Sequence, residues 1–303
     1  MVVVTDFEKQ HLATIVATAA RCRTDEVNLV VMPPRKLDGE EPPAAISAAM
    51  AHADLVVSLV ARSITHTTAV QNALQSGARA LMMTAFTREM LLRGGIEYDF
   101  RANRPFCQLI ARLLEEASEA HLTTPAGTDL WMDLRGRPGN AHSGVVDGPG
   151  QLTTVPNVEA SISPVEGSAR GRLVGDASIP YYDIGLLTEP VYMDVVDGRV
   201  VEVTGGAQAQ RIARMMAEQG DPNVYNIAQL SFGLNPMCRM QGVMLEDEGV
   251  YGTCHIGIGT SSLLGGTVKA KMHYDVILWN PTLELDGRTV LRDGTWLVST
   301  PGQ

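Results

Sequence analysis

Residues 2–32 read VVVTDFEKQHLATIVATAARCRTDEVNLVVM, and this stretch decides the fold of the first half of the chain. A short apolar run over 2–5 is followed by an alanine-rich segment over 8–21 and then by a second apolar run over 28–32. Apolar residues at three- and four-residue spacing predict a helix for the middle segment, and the β-branched runs on either side predict strands. This order is that of a βαβ unit, in which a helix joins two parallel strands.

The same alternation continues to about residue 120. Further strands are predicted at 55–59 and 80–83, and further helices at 43–52, 67–76 and 101–121. We therefore predict an α/β N-terminal domain over residues 1–124, with a parallel sheet and helices on both faces. No GxGxxG or GxxxxGK[ST] motif follows the first strand, so the fold alone predicts no nucleotide cofactor.

After residue 121 the composition changes. Thr, Val, Gly and Pro dominate, and turn signals such as Asp197-Gly198 and Asp286-Gly287 separate short strand-like runs. One helix is predicted at 207–219, ending before Gly220. We predict a mainly β (α+β) C-terminal domain over residues 125–303 that carries a metal site.

Composition narrows the class of partners. The chain has 303 residues, of which 45% are hydrophobic, and a formal net charge of −10. An acidic protein repels phosphate backbones and anionic membranes, and no apolar run approaches the roughly 20 residues that a membrane helix needs. The start lacks a basic signal-peptide segment, and the four scattered cysteines indicate no disulfide framework. We expect a cytoplasmic protein with a small-molecule substrate and neither a nucleic-acid nor a membrane partner.

Two histidines and an acidic residue suggest where the chemistry lies. In MHYDVIL (272–278), His273 and Asp275 are two residues apart, so on a strand they point to the same face. His255 lies in GTCHIGIG (252–259), where glycines allow a ligand to approach closely. Two imidazoles and a carboxylate suit one divalent metal ion, Mn, Zn, Fe or Co. The HxD motif alone fits a hydrogen-bonded His–Asp pair in the core at least as well.

Glu159, in PNVEA (156–160), is a candidate fourth ligand or a base that moves a proton. By itself this glutamate fits a solvated strand carboxylate equally well.

Several ordered segments together resemble the thermophilic-type metallo-aminopeptidases, the aminopeptidase T or leucyl aminopeptidase-like family, along nearly the whole chain. They are MPPRK (32–36), SITHT (63–67), GTDL (127–130), PNVE (156–159), QLSFGLNP (229–236), CHI (254–256) and HYD (273–275). The resemblance implies that Glu159, His255, His273 and Asp275 bind metal, and that the protein is a homodimer.

Two positions depart from that family. Where a second glutamate ligand is expected the chain has Gln229, a neutral amide that binds divalent metals poorly, so we expect a single ion and a substrate-orienting role for Gln229. Where the family carries a tyrosine thought to assist catalysis, the chain has Ser262. With Glu159, these two residues are the candidate catalytic positions.

The function predicted from these residues is a metal-dependent hydrolase that uses a metal-activated water on a small amide or amine-bearing compound, aromatic or heterocyclic. The resemblance extends to two offshoots, 2,5-dihydroxypyridine 5,6-dioxygenase and 5-nitroanthranilate aminohydrolase. The first alternative is therefore a mononuclear non-haem Fe(II) ring-cleaving dioxygenase with His255, His273 and Asp275 as a facial triad. In that dioxygenase a histidine occupies the place of Gln229, and the place of His255 is not histidine. The remaining alternatives are an aminopeptidase and a non-catalytic binding protein on the same fold.

Overall fold

The computed structural model describes residues 1–300, and the chain divides into two compact units. The first unit is Met1–Arg101 with Gly144–Pro156, and the second is Ala102–Ser143 with Asn157–Gln303. Residues 144–156 belong to the first unit because they supply a strand to its sheet. The domain boundary predicted between residues 124 and 125 stays a prediction, since compactness does not test independent folding.

The strands and helices follow one another along the chain without long gaps. The strands are β1 (Val2–Asp6), β2 (Asn28–Met32), β3 (Leu55–Leu59), β4 (Arg79–Met82), β5 (Glu119–Thr123), β6 (Asp129–Asp133), β7 (Gly139–His142), β8 (Leu152–Thr154), β9 (Glu159–Ile162), β10 (Arg170–Gly175), β11 (Ser178–Ile179), β12 (Gly185–Leu186), β13 (Val191–Val196), β14 (Arg199–Gly205), β15 (Ile227–Gly233), β16 (Cys254–Gly259), β17 (His273–Leu278), β18 (Thr282–Leu285), β19 (Arg288–Arg292) and β20 (Thr295–Trp296). The helices are α1 (Gln10–Ala20), α2 (Ala44–Ala51), α3 (Thr68–Gln75), α4 (Arg88–Leu92), α5 (Phe100–Glu116), α6 (Ala207–Glu218) and α7 (Met244–Asp247), with 3₁₀ turns at Gly94–Glu97 and Pro222–Tyr225.

The first unit contains the predicted parallel sheet, with strand order β2-β1-β3-β4-β8. Val2 and Val4 of β1 pack into a core with residues of α2 and α3, while Val3, which points to the opposite face, is also fully buried. Both faces of the sheet are therefore covered, as expected for a parallel sheet. The fifth strand, β8, was not predicted, because LTT is too short to show a periodic pattern.

The second unit contains two sheets in which every strand pairing is antiparallel. Their strand orders are β14-β13-β10-β6-β5-β18-β19-β20 and β12-β11-β17-β16-β15-β9-β7. The Asp197-Gly198 and Asp286-Gly287 turns join neighbouring strands, and all four residues have positive φ, as a tight hairpin turn requires. The mainly β character of this half is confirmed.

Two predicted helix ends can be compared with the structure. The helix predicted at 207–219 is confirmed as α6, followed by Gly220 at φ 57°. The helix predicted at 101–121 is wrong at its end, because α5 stops at Glu116 and residues 119–123 form β5. In β5 buried residues alternate with exposed or half-buried ones, which is the period of a strand.

No helix within residues 1–300 is long and apolar enough to cross a membrane.

Candidate functional site

The seven-stranded sheet of the second unit has one polar and one apolar face. In its register His255 lies opposite Ser231, and Gly257 lies between Gln229 on β15 and Asp275 on β17. Directly opposed residues share a face, and alternate residues along a strand do too. The polar face therefore carries Glu159, Ser161, Gln229, Ser231, His255, His273 and Asp275. The other face carries the buried side chains of Leu230, Phe232, Cys254, Ile256, Tyr274 and Val276.

Glu159 and His255 form the first pair on the polar face. The His255 ring is fully buried, and its Nε2 lies 3.2 Å from Glu159 Oε2 without the alignment of a hydrogen bond. Both ring nitrogens of His255 lack a hydrogen-bond partner among the residues that the structure describes. Buried nitrogens of this kind are rare in native proteins and call for a ligand or ion.

Glu159 and His255 stabilise each other's charged forms. Burial favours the neutral form of Glu159, but the contact with His255 outweighs it and brings the pKa of Glu159 down to about 2. Burial also favours neutral His255, but Glu159 and Asp275 outweigh it and raise the pKa of His255. Glu159 is therefore an ionised carboxylate at neutral pH and can accept hydrogen bonds.

His273 and Asp275 form the second pair. His273 Nδ1 lies 2.9 Å from the carbonyl oxygen of Thr260, so this nitrogen carries the proton in the neutral ring and Nε2 carries the lone pair. That Nε2 lies 3.6 Å from Asp275 Oδ1, which has no hydrogen-bond partner in residues 1–300. Burial favours a neutral carboxyl, but the charge of His273 outweighs it and lowers the pKa of Asp275 well below its usual range.

Gly257 lies between the two pairs, and its lack of a side chain leaves room for the groups around it. His255 and His273 lie on neighbouring strands with an offset of four residues, about 13 Å at the backbone. A Cβ at Gly257 would lie 2.8 Å from the Cβ of Gln229, 2.9 Å from His273 Cε1 and 3.1 Å from Asp275 Oδ1. A side chain at this position would fill the space into which these groups project.

The structure thus brings five of the six predicted site residues to one sheet face. Ser262 is apart from them, in the loop after β16, with its hydroxyl 3.4 Å from that of Thr260. Among residues 1–300, no three His, Cys, Asp or Glu side chains already have the geometry of a metal site. The four ligands predicted from the sequence form two pairs instead of a closed coordination shell.

Two residues of this site were missed by sequence reasoning. The Tyr181 hydroxyl lies 2.8 Å from both Glu248 Oε1 and Asp275 Oδ2. Neither residue stands in a motif: Tyr181 follows the short strand β11, and Glu248 follows one turn of helix, α7. The acidic run EDE at 246–248 was the one signal available in the sequence. The structure buries all three carboxylates, which is unusual for acidic side chains.

Comparison with known proteins first defines a fold class. The structure of AmpT from Thermus thermophilus has a TM-score of 0.71 at 15% identity, covering 98% of this chain and 94% of that chain. The structure of a 2,5-dihydroxypyridine dioxygenase from Pseudomonas putida KT2440 has a TM-score of 0.84 at 22% identity, covering 100% of this chain and 92% of that chain. The chain thus has the mixed α/β fold of AmpT, as the resemblance implied.

A family model assigns the chain to one family among the proteins that share this fold. The family model NicX, 2,5-dihydroxypyridine 5,6-dioxygenase, matches residues 5–298, so the chain belongs to this family. A curated 2,5-dihydroxypyridine 5,6-dioxygenase from Pseudomonas putida KT2440 is 26% identical over 264 residues, which are 82% of this chain and 73% of that protein. The prediction of a metal-dependent hydrolase is wrong, because these matches point to a dioxygenase, the first alternative.

Proposed function

We propose that this protein is a ring-cleaving dioxygenase acting on a dihydroxypyridine, with one Fe(II) ion held by His255, His273 and Asp275. The family match over residues 5–298 carries the proposed activity. Two imidazoles and a carboxylate are the donor set of mononuclear non-haem iron oxygenases. Iron bound there would supply the redox chemistry that lets O2 react with the ring.

The unpartnered atoms of the polar face support this ligand set. Both ring nitrogens of His255 and Oδ1 of Asp275 are buried without a hydrogen-bond partner in residues 1–300. Leaving buried polar atoms unsatisfied costs roughly 1–3 kcal/mol each, so an ion that engages one nitrogen of His255 and Oδ1 of Asp275 would stabilise the folded chain. For His273, the bond from Nδ1 to Thr260 leaves Nε2 free to donate its lone pair.

Glu159 and Gln229 complete the proposed chemistry without the metal. The ionised carboxylate of Glu159 is placed to accept a hydrogen bond from a hydroxyl of the dihydroxypyridine. The Gln229 amide, beside Gly257, offers both a donor and an acceptor to the ring hydroxyl and ring nitrogen. Ser262 has no role in this proposal.

The test is oxygen consumption by protein of known metal content. Protein purified without added metal should hold about one iron per chain and consume about one O2 per 2,5-dihydroxypyridine turned over. Iron removal by a chelator should abolish O2 uptake, and Fe(II) should restore it where Zn(II) does not. Iron-loaded protein that consumes no O2 with any dihydroxypyridine would refute the proposal.

Matched variants assign the ligands. His255→Ala, His273→Ala and Asp275→Asn should each lose iron and activity together. His11→Ala is the control, because His11 lies exposed on α1 in the other unit. A ligand variant that retains its iron would remove that residue from the proposed triad.

A further inference from the structure

A chain of buried polar side chains connects Glu159 with Asp275, the carboxylate of the proposed iron site. The Asn157 amide donates to Glu159 Oε2 at 3.0 Å and to Glu248 Oε2 at 3.4 Å. The other oxygen of Glu248 lies 2.8 Å from the Tyr181 hydroxyl, which lies 2.8 Å from Asp275 Oδ2. Four of these five residues are at most 7% exposed, and Tyr181 is half-buried.

We propose that Tyr181 and Glu248 are positioning residues that fix the Asp275 carboxylate so that its free oxygen, Oδ1, faces the iron. The inference rests on the proposed iron site. Neither residue needs to touch iron or substrate in this role, since both act through Asp275.

The first support is that the two carboxylate oxygens of Asp275 have different surroundings. Oδ2 is occupied by the Tyr181 hydroxyl, whereas Oδ1 has no hydrogen-bond partner in residues 1–300 and lies beside His273. A carboxylate rotates readily about its last bond, so without Tyr181 the two oxygens of Asp275 would be interchangeable. Ligating carboxylates are held by such outer hydrogen bonds, and losing one typically weakens metal binding about 10- to 100-fold.

The two contacts of the Tyr181 hydroxyl give the second support. Glu248 Oε1 and Asp275 Oδ2 lie at the same distance from it, 2.8 Å. Glu248 therefore holds the phenol at the position from which its hydroxyl contacts Asp275.

The backbone around Tyr181 gives the third support. Tyr182 and Asp183, which follow it, both have positive φ, 55° and 58°, a region that residues other than glycine rarely adopt. The turn is closed by the bond from Ile184 N to the Tyr181 carbonyl, and Arg211 lies against the Asp183 carboxylate. Unfavourable conformations of this kind persist at functional sites where the surroundings impose them.

The test measures metal binding in place of turnover. Fe(II) dissociation constants would be measured anaerobically by competition with a chromogenic chelator, and the visible spectrum of Co(II)-loaded protein would report ligand geometry. Tyr181→Phe should bind Fe(II) at least about tenfold more weakly and shift the Co(II) bands. Tyr192→Phe, on β13 of the other sheet, should match the unaltered chain in both respects.

Glu248 is tested by a pair of variants. Glu248→Gln keeps a side chain of the same size with an oxygen that can contact the Tyr181 hydroxyl and should retain most of the affinity, whereas Glu248→Ala should lose as much as Tyr181→Phe. Equal binding and identical spectra for Tyr181→Phe and the unaltered chain would overturn the inference alone, as would equal weakening by Tyr192→Phe. If the unaltered chain binds no iron, the proposed function fails with it.

Discussion

At the scale of single residues, Gly257 matters because it has no side chain, which leaves room for the neighbouring groups of the site. Its φ is not in the left-handed region, so the glycine is not required by the backbone. It is required by space, because the groups of Gln229, His273 and Asp275 project over its Cα. The sequence pattern GIG at 257–259 indicated close approach of a ligand, and the structure identifies the neighbours that need the room.

Gly257→Ala should therefore disturb the site more than the fold. The added Cβ would lie 2.9 Å from the His273 ring, closer than real Cβ contacts, so the ring or Gln229 must move. We expect Fe(II) affinity and oxygen uptake to fall about tenfold or more, with a stability loss of about 1–3 kcal/mol from overpacking. Gly148→Ala is the control, because its Cβ would meet nothing closer than 3.4 Å. Unchanged iron affinity in Gly257→Ala would show that this space is not used.

Protonation of the two histidines should govern iron binding. Although burial favours the neutral rings, the carboxylates of Glu159 and Asp275 raise the pKa of both His255 and His273 above 6.5. Protons compete with the metal for imidazole, so Fe(II) affinity should increase from about pH 6 to about pH 8, by about tenfold per pH unit for each proton released. In metal-free protein the sign is opposite: the raised pKa values stabilise the fold below 6.5, and this stability is lost as pH rises through them. Iron titrations and urea unfolding at several pH values measure both, and an affinity independent of pH would exclude histidine ligands.

At the scale of elements, the loop between β16 and β17 determines how His273 is presented. Thr260, at its start, supplies the carbonyl oxygen that holds His273 Nδ1. Glu166 holds the far side of the loop through the backbone and hydroxyl of Thr267, and Arg137 contacts both Glu166 and the Gly265 carbonyl. The orientation of the imidazole thus depends on an ion pair outside the site.

Glu166→Gln should loosen this loop. The Arg137–Glu166 pair is partly buried, with side-chain exposures of 13% and 28%, so we expect a loss of about 1 kcal/mol in unfolding free energy after solvent screening. Amide exchange over residues 260–272 should accelerate, and Fe(II) affinity should fall with it. Arg135→Gln breaks an ion pair whose arginine is 73% exposed and should change neither. Unchanged exchange in Glu166→Gln would contradict the anchoring role.

At the scale of the whole molecule, the two antiparallel sheets of the second unit meet through an aromatic cluster. Phe232, on the apolar face beneath the site, packs edge-on against Trp296 of the other sheet, with ring centroids 5.3 Å apart. Phe106 of α5 approaches the same tryptophan at 6.2 Å. The apolar face of the site sheet therefore joins the two sheets, and its polar face is left for chemistry.

Phe232→Ala should accordingly destabilise the fold without removing any polar group of the site. Phe232 is fully buried, and truncating such a side chain costs about 3–5 kcal/mol. Phe7→Ala, at a residue 64% exposed, should stay within about 0.5 kcal/mol. Urea unfolding measures both, and a loss below about 1 kcal/mol in Phe232→Ala would show that the cluster does not hold the sheets together.

The local parts of this molecule follow from sequence patterns. Strand and helix periods predicted four of the five strands of the parallel sheet and its first three helices, and Asp-Gly pairs predicted two tight turns. His273 and Asp275 share a face because alternate residues on any strand do. These features depend on residues within a few positions of one another, which is why sequence alone determined them.

Tertiary structure decided what depends on strand order and register. The contacts of Tyr181 with Glu248 and Asp275 join residues 67 and 94 positions apart. The pairing of Glu159 with His255 and the gap at Gly257 also join residues of different strands. No local period encodes such contacts, since they arise when antiparallel neighbours come into register and bury one face. The same physical reason explains β8, which became a strand only because the edge of β4 was available to pair with it.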